Sequence, residues 1–165
     1  MTDSDSKSKI KYYWEDLPVG SVVELGKVVV DRQEVLDFAA RYDPQPFHLD
    51  DAAAAKSPVF GRLAASGWHT CAMAMGQYVR EFLNHAASMG SPGVETLRWL
   101  KPVYPGDTLS VRVRVTDARP MKSRPQLGLV RSQWEVFNQD GVQVLELDAW
   151  GMFGRRAAAE EPAEG

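Results

Sequence analysis

The hydrophobic and polar positions of the chain follow two different periods, one before and one after about residue 90. Over residues 66–89 the first half of the segment is apolar on almost every side, which predicts a long helix that is buried all round. Beyond residue 93 apolar and polar residues alternate, most clearly over 108–116, where the inward positions are Leu109, Val111, Val113 and Val115. A curved antiparallel sheet wrapped around the helix is the economical way to bury it. The pattern therefore favours an α+β fold.

Strands are predicted after the helix over residues 93–103, 108–116, 127–137 and 142–153. The sequence Asn-Gln-Asp-Gly at 138–141 is a strong hairpin signal between the last two. We expect the four strands to follow one another as a meander. Residues 118–126, which hold two prolines and three basic residues, are expected to form a surface loop.

The part of the chain before the long helix predicts one strand and two shorter helices. Residues 21–30 are rich in valine, which is typical of a strand. Asp31, with Glu34 three residues later, predicts the N-cap of a helix over residues 32–41. The alanine-rich residues 51–56 predict a short helical turn.

Composition is typical of a single globular domain of 165 residues, with 44% hydrophobic and 25% charged residues. We expect one domain over residues 11–155 with disordered tails at 1–10 and 156–165. The net charge of −3 gives no basic field for nucleic acid, and no apolar run approaches the length that spans a bilayer. No signal peptide is expected, and the single cysteine fits a reducing compartment, so we expect a cytoplasmic protein.

A carboxylate and an imidazole lie five residues apart in the segment Tyr-Asp-Pro-Gln-Pro-Phe-His-Leu-Asp at 42–50. Pro44 and Pro46 fix their own φ and hold the preceding residues in extended geometry. A stiff turn of this kind keeps Asp43 and His48 in set directions, as two proton-transfer groups require. On these residues alone, a helix end followed by an ordinary connector is an equally good interpretation.

Three segments together resemble the MaoC-like, (R)-specific enoyl-CoA hydratase family over about residues 15–155. The family motif reads Asp-x-Asn-Pro-(Ile/Leu)-His-x-Asp, and the matching positions are Asp43, Gln45, Pro46, Phe47, His48 and Asp50. Phe-Gly-Arg at 60–62 and Ser-Gly at 66–67 resemble the run into the family's central helix. The sequence at 100–109, Leu-Lys-Pro-Val-Tyr-Pro-Gly-Asp-Thr-Leu, resembles its Lys-Pro-Val-x-x-Gly-Asp segment.

The resemblance implies a hot dog fold and the hydration of a 2-enoyl thioester, with neither a metal nor a redox cofactor. It assigns the catalytic pair to Asp43 and His48, which would deprotonate a water that attacks C3 and deliver a proton to C2. Imidazole suits proton transfer at neutral pH because its free pKa is near 6.5. The sequence leaves open which of the two residues is the base. Gln45 is one methylene longer than the usual Asn and must redirect its hydrogen bond.

The start of the long helix is the expected site for the thioester oxygen. Free N–H groups and the helix dipole at Ser66 and Gly67 favour a developing oxyanion, and the resemblance places a donor at Gly67. The alternative is that Ser66 is only an N-cap and Gly67 only a packing glycine. Asp50 is expected to fix the loop through backbone hydrogen bonds, and His69 to be a packed core residue.

The acyl tail beyond C3 is expected to run along the apolar flank of the helix, and the bulky candidates to line it are Phe47, Trp68, Met75 and Trp99. Phe47 replaces a smaller aliphatic residue of the motif, so we expect a preference for short acyl groups. The expected substrate is an acyl-CoA, with acyl-carrier protein as an alternative carrier. A homodimer is expected to cover the exposed sheet edge.

Two other functions stay open on the sequence. A hot-dog acyl-CoA thioesterase usually carries its acid on the central helix, where residues 68–83 hold only Arg80 and Glu81 as charged groups. A non-catalytic acyl-binding subunit would need neither Asp43 nor His48, and this chain has both.

Overall fold

The computed structural model describes residues 9–156, and the predicted disordered tails lie outside this range except at their inner ends. The helices are α1 (Arg32–Tyr42), α2 (Pro46–Leu49), α3 (Asp51–Ala55) and α4 (Gly67–Glu81), with 3-10 turns at Trp14–Asp16 and Leu83–His85. The strands are β1 (Val22–Val29), β2 (Gly93–Trp99), β3 (Thr108–Pro120), β4 (Leu127–Phe137) and β5 (Gln143–Gly154). Within the described range, no helix is long and apolar enough to cross a membrane.

The five strands form one antiparallel sheet in the order β1-β3-β4-β5-β2, and the sheet packs against α4. This confirms the predicted α+β architecture of a sheet around a central helix. The predicted four-stranded meander is wrong in one respect, because β2 pairs with β5 at the far edge and not with β3. The segment between β2 and β3 contains Pro102 and Pro105 and cannot form a tight hairpin. It passes the start of α4, where Val103 is buried and its carbonyl accepts the N–H of Ala65.

The helix α4 is shorter and less enclosed than its apolar pattern predicts. It ends at Glu81 and not near residue 89, because Phe82 leaves helical geometry. The chain then forms isolated β-bridges, from Ala86 to Tyr12 and from Ser88 to Phe153. The prediction that it is buried all round is also wrong. Trp68 is 59% exposed and Met75 is 42% exposed, so one stripe of the helix is open in a single chain.

Two strand boundaries also differ from the prediction. The surface loop expected at 118–126 is shorter, because β3 continues to Pro120, which pairs with Gly128 of β4. Proline is tolerated there because β1 pairs with β3 only as far as Arg114, so no described strand lies on the other side of Pro120. The strand expected over 93–103 ends at Trp99. The four inward positions predicted on β3 are all buried.

Local sequence signals are confirmed where the partner groups lie close in the chain. The carboxylate of Asp31 accepts the backbone N–H of Glu34 and caps α1. The β4–β5 hairpin forms at the predicted place, and the side chain of Asn138 accepts the N–H groups of Asp140 and Val142. Gly141 adopts a φ of 73°, which favours glycine over other residues.

Candidate active site

The loop between α1 and α2 positions the two candidate catalytic residues. Asp43 ends α1, Gln45 is extended, and Pro46 occupies the first turn of α2, where its missing N–H costs nothing. His48 lies on this single helical turn. Asp50 then caps α3 by accepting the N–H of Ala53 at 3.1 Å, which confirms its predicted role in fixing the loop.

Asp43 and His48 face each other, with 3.4 Å between Oδ2 of the carboxylate and Nε2 of the imidazole. The other ring nitrogen, Nδ1, lies 2.7 Å from the carbonyl oxygen of Ala64. A carbonyl only accepts, so Nδ1 carries a proton and donates it. Nε2 is then the nitrogen that faces Asp43 and that gains or loses a proton when the ring changes charge. His48 is buried at 4% exposure, which holds the ring in this orientation.

Both oxygens of Asp43 accept a hydrogen bond. The hydroxyl of Ser66 donates to Oδ2 at 2.7 Å, and the amide of Gln45 donates to Oδ1 at 2.7 Å. Burial raises the pKa of Asp43, but the bonds from Ser66 and Gln45, together with His48, outweigh it and hold the pKa below its usual range. Asp43 is therefore a carboxylate at neutral pH, and the longer side chain of Gln45 serves to hold it.

Ser66 and Gly67 have different places at the start of α4. Ser66 is fully buried, and its hydroxyl binds Asp43 without capping the helix. The side chain of Ser66 is thus a partner of the carboxylate. Gly67 is the first residue of α4 and lines a cavity beside Asp43 and His48. N–H groups in a first helical turn have no intrahelical acceptor and are available to a ligand.

The cavity, which we call the reaction cavity, has a volume of about 450 Å³. The lining residues are Asp43, Gln45, His48, Val59, Phe60, Ala65, Gly67, Trp68, Thr70, Trp99, Leu100, Lys101, Pro102 and Val103. Four of them belong to the segment at 100–103, which resembles a family segment but had no predicted role in the site. This segment follows β2 and passes the start of α4, and it therefore forms part of the wall of the reaction cavity.

A second space, which we call the apolar groove, has a volume of about 370 Å³ and lies between α4 and strands β2, β4 and β5. Of the four residues predicted to line the acyl path, Trp68 lines both spaces, Trp99 lines the reaction cavity and Met75 lines the apolar groove. Phe47 lines neither. Its ring packs against His48 and Phe60, with centroids 4.6 and 5.0 Å away.

His69 is a packed core residue, as predicted. It is buried, its ring stacks on Phe38 at 4.8 Å, and burial lowers its pKa against a smaller opposing effect of Glu34. Its Nδ1 has no hydrogen-bond partner among the described residues. The described residues also contain no group of three His, Cys, Asp or Glu side chains placed to hold a metal ion.

Comparison with known proteins gives one family and a consistent set of relatives. The profile of the MaoC like domain family matches residues 17–135. A 3-hydroxybutyryl-CoA dehydratase of Methylorubrum extorquens is 29% identical over 140 residues, which cover 82% of this chain and 83% of the relative.

Solved structures of similar sequence and fold are also MaoC-like dehydratases and R-hydratases. The MaoC-like dehydratase from Rhodospirillum rubrum is 40% identical with a TM-score of 0.81, over 88% of this chain and 99% of that one. R-hydratase PhaJ1 from Pseudomonas aeruginosa is 29% identical with a TM-score of 0.70, over 87% and 86% of the two chains. These likenesses confirm the hot dog fold predicted from the sequence.

Proposed function

Since this chain belongs to the MaoC-like domain family, we propose that it is an acyl-CoA hydratase/dehydratase that interconverts a 2-enoyl thioester and a 3-hydroxyacyl thioester. The observation that carries the proposal is the Asp43 carboxylate 3.4 Å from Nε2 of His48, beside the start of α4. The similarity to a 3-hydroxybutyryl-CoA dehydratase and to an R-hydratase supports the reaction class.

In the hydration direction, the thioester oxygen binds at the N–H groups of the first turn of α4. Gly67 lets the substrate approach the backbone closely, and the helix dipole stabilises the charge that develops on the oxygen. No metal or redox cofactor is needed, because these donors polarise the thioester.

In the proposed mechanism the attacking water sits in the reaction cavity against both Oδ2 of Asp43 and Nε2 of His48, and donates one hydrogen bond to each. Nε2 of His48 takes a proton from this water as its oxygen bonds to C3, and the electron pair of the C2–C3 double bond moves toward the thioester oxygen. The carboxylate of Asp43 holds the water and stabilises the imidazolium. His48 then returns the proton to C2, which completes the addition, and dehydration is the reverse.

Product analysis tests the reaction class. We expect crotonyl-CoA incubated with the protein to gain the mass of one water, and 3-hydroxybutyryl-CoA to lose it. Recovery of free CoA and crotonate in place of the hydrated thioester would assign the chain to the thioesterases, and recovery of unchanged thioester to the non-catalytic binding subunits.

The hydrogen bond from Ser66 predicts a change in pH dependence. Ser66→Ala removes a donor that holds the pKa of Asp43 low, so the pKa should rise toward its ordinary value. In Ser66→Ala the carboxyl group of Asp43, followed by NMR as the pH is varied, should therefore titrate at a higher pH than in the wild type. Ser21→Ala, whose hydroxyl bonds the carbonyl of Pro18 and which lines neither the reaction cavity nor the apolar groove, is the matched control and should leave this titration in place. An unmoved Asp43 titration in Ser66→Ala would show that the Ser66 hydroxyl does not hold the pKa of the carboxylate down.

The exposed edge of the sheet supports a homodimer. Among the described strands, the edge strand β2 pairs with β5 alone, and most of its residues are exposed, among them Val94 at 55%. Such an edge is a template for a second strand, and a two-fold partner covers it. We expect light scattering at micromolar concentration to give the mass of a dimer or a larger oligomer, and a stable monomer would contradict this.

A further inference from the structure

Two tryptophans stand where the reaction cavity meets the apolar groove. Trp68 lines both spaces, and the ring of Trp99 lies edge-on to it, with centroids 5.1 Å apart and ring planes at 82°. Behind Trp68, Cys71 and Met75 continue along the same side of α4 and line the groove only. Trp68 is therefore a wall that the two spaces share, and Trp99 stands on its reaction-cavity side.

The two rings are held to different degrees. A Cβ on Gly67 would lie 2.5 Å from Cε2 and Nε1 of Trp99, so this ring rests directly on the start of α4. Burial raises the pKa of the Cys71 thiol, and the side chain of Trp99 has a smaller opposing effect on it.

Trp68 is the freer of the two rings. Its side chain has no hydrogen bond and a single ring contact, with Trp99, among the described residues. In the single chain it is 59% exposed. Rotation of Trp68 about its side-chain torsions therefore breaks one ring contact and no hydrogen bond among the described residues, whereas movement of Trp99 disturbs the start of the helix.

We propose that Trp68 is a gate that limits acyl chain length by separating the reaction cavity from the apolar groove; this rests on the proposed hydratase function. In the observed position the gate is closed, and a C4 enoyl group fits in the reaction cavity. Longer tails reach the groove only when Trp68 turns aside from Trp99. Removal of the Trp68 ring joins the two spaces. Each further methylene of a longer acyl tail then contacts the apolar walls of the groove.

The test compares kcat/KM for C4 and C8 2-enoyl-CoAs in the wild type, Trp68→Ala and Trp68→Phe. We expect the wild type to prefer C4, and the C8:C4 ratio to rise about tenfold or more in Trp68→Ala because the added methylenes become buried. Trp68→Phe should shift the ratio in the same direction by less. Phe47→Ala is the matched control, because it removes a large ring next to His48 that lines neither space. Its ratio should match the wild type.

Calorimetric binding of butyryl-CoA and octanoyl-CoA gives a second readout that needs no turnover. We expect the octanoyl:butyryl affinity ratio to rise in Trp68→Ala and to stay constant in Phe47→Ala. An unchanged ratio in Trp68→Ala in both measurements overturns the gate, as does a wild type that already prefers C8. A shift as large in Phe47→Ala also overturns it. If no enoyl thioester is hydrated but the affinity ratio still shifts, the proposed function fails and the gate stands.

Discussion

Replacing His48 by alanine or Asp43 by asparagine is expected to lower kcat for hydration by about a hundredfold or more, the contribution that positioned acid–base groups make. His48→Ala removes the only imidazole among the described residues that line the reaction cavity, and with it the acceptor for the proton of the water. Asp43→Asn keeps the shape of the side chain but removes the charge that two hydrogen bonds hold in place.

Controls separate this loss from general damage to the fold. Asp37→Asn changes an exposed carboxylate on the same helix α1, bonded to Gln33, and should retain wild-type kcat. His85→Ala changes an imidazole beyond the far end of α4 and should do the same. Thermal unfolding checks that each variant is folded. A folded His48→Ala or Asp43→Asn variant with near wild-type hydration would remove the assigned pair from the mechanism.

Gly67→Ala is expected to lower kcat by about tenfold to a hundredfold, less than outright removal of an oxyanion donor. The new Cβ would stand 2.5 Å from the indole of Trp99, closer than heavy atoms approach, so the ring or the helix start must move. Either movement disturbs the N–H groups that bind the thioester oxygen. Overpacking of this kind also costs about 1–3 kcal/mol of stability, which a lower Tm would report.

Gly76→Ala on the same helix is the matched control. Its Cβ meets only the end of the flexible Arg80 side chain, at 3.0 Å, which can move aside. Alanine is also a better helix former than glycine, by about 1 kcal/mol. Gly76→Ala should therefore keep kcat and raise Tm. If Gly67→Ala behaves in the same way, Gly67 and Trp99 do not shape the site.

Features set by neighbouring residues could be predicted from the sequence. The N-cap at Asp31 and the hairpin at Asn138 each depend on groups within four residues, so local chemistry decides them. The same holds for the loop with two prolines that carries His48. The family resemblance then supplied what local patterns lack, namely that Asp43 and His48 meet in one site.

Features set by distant residues could not be predicted. Ser66 is expected from the sequence to cap the long helix or to bind the thioester oxygen. In the structure its hydroxyl donates to the carboxylate of Asp43, 23 residues away. The tautomer of His48 depends on the carbonyl of Ala64, 16 residues away. No periodicity in the sequence indicates either contact. The pairing of β2 with β5 is similar, because alternation predicts a strand but not its neighbour.

The apolar pattern of α4 was misleading for a physical reason. Periodicity shows that a side chain avoids water but not what covers it. Trp68 and Met75 are exposed in the single chain because they face the reaction cavity and the apolar groove. Residues that line a binding space have the same composition as residues of a core.

The time course of wild-type protein with crotonyl-CoA tests the central claim most directly, when the enoyl-thioester absorbance and free thiol are followed in the same sample. The proposed mechanism predicts that the absorbance falls to a hydration equilibrium while no thiol appears. Release of thiol in step with the fall in absorbance would contradict it, and so would an absorbance that stays constant.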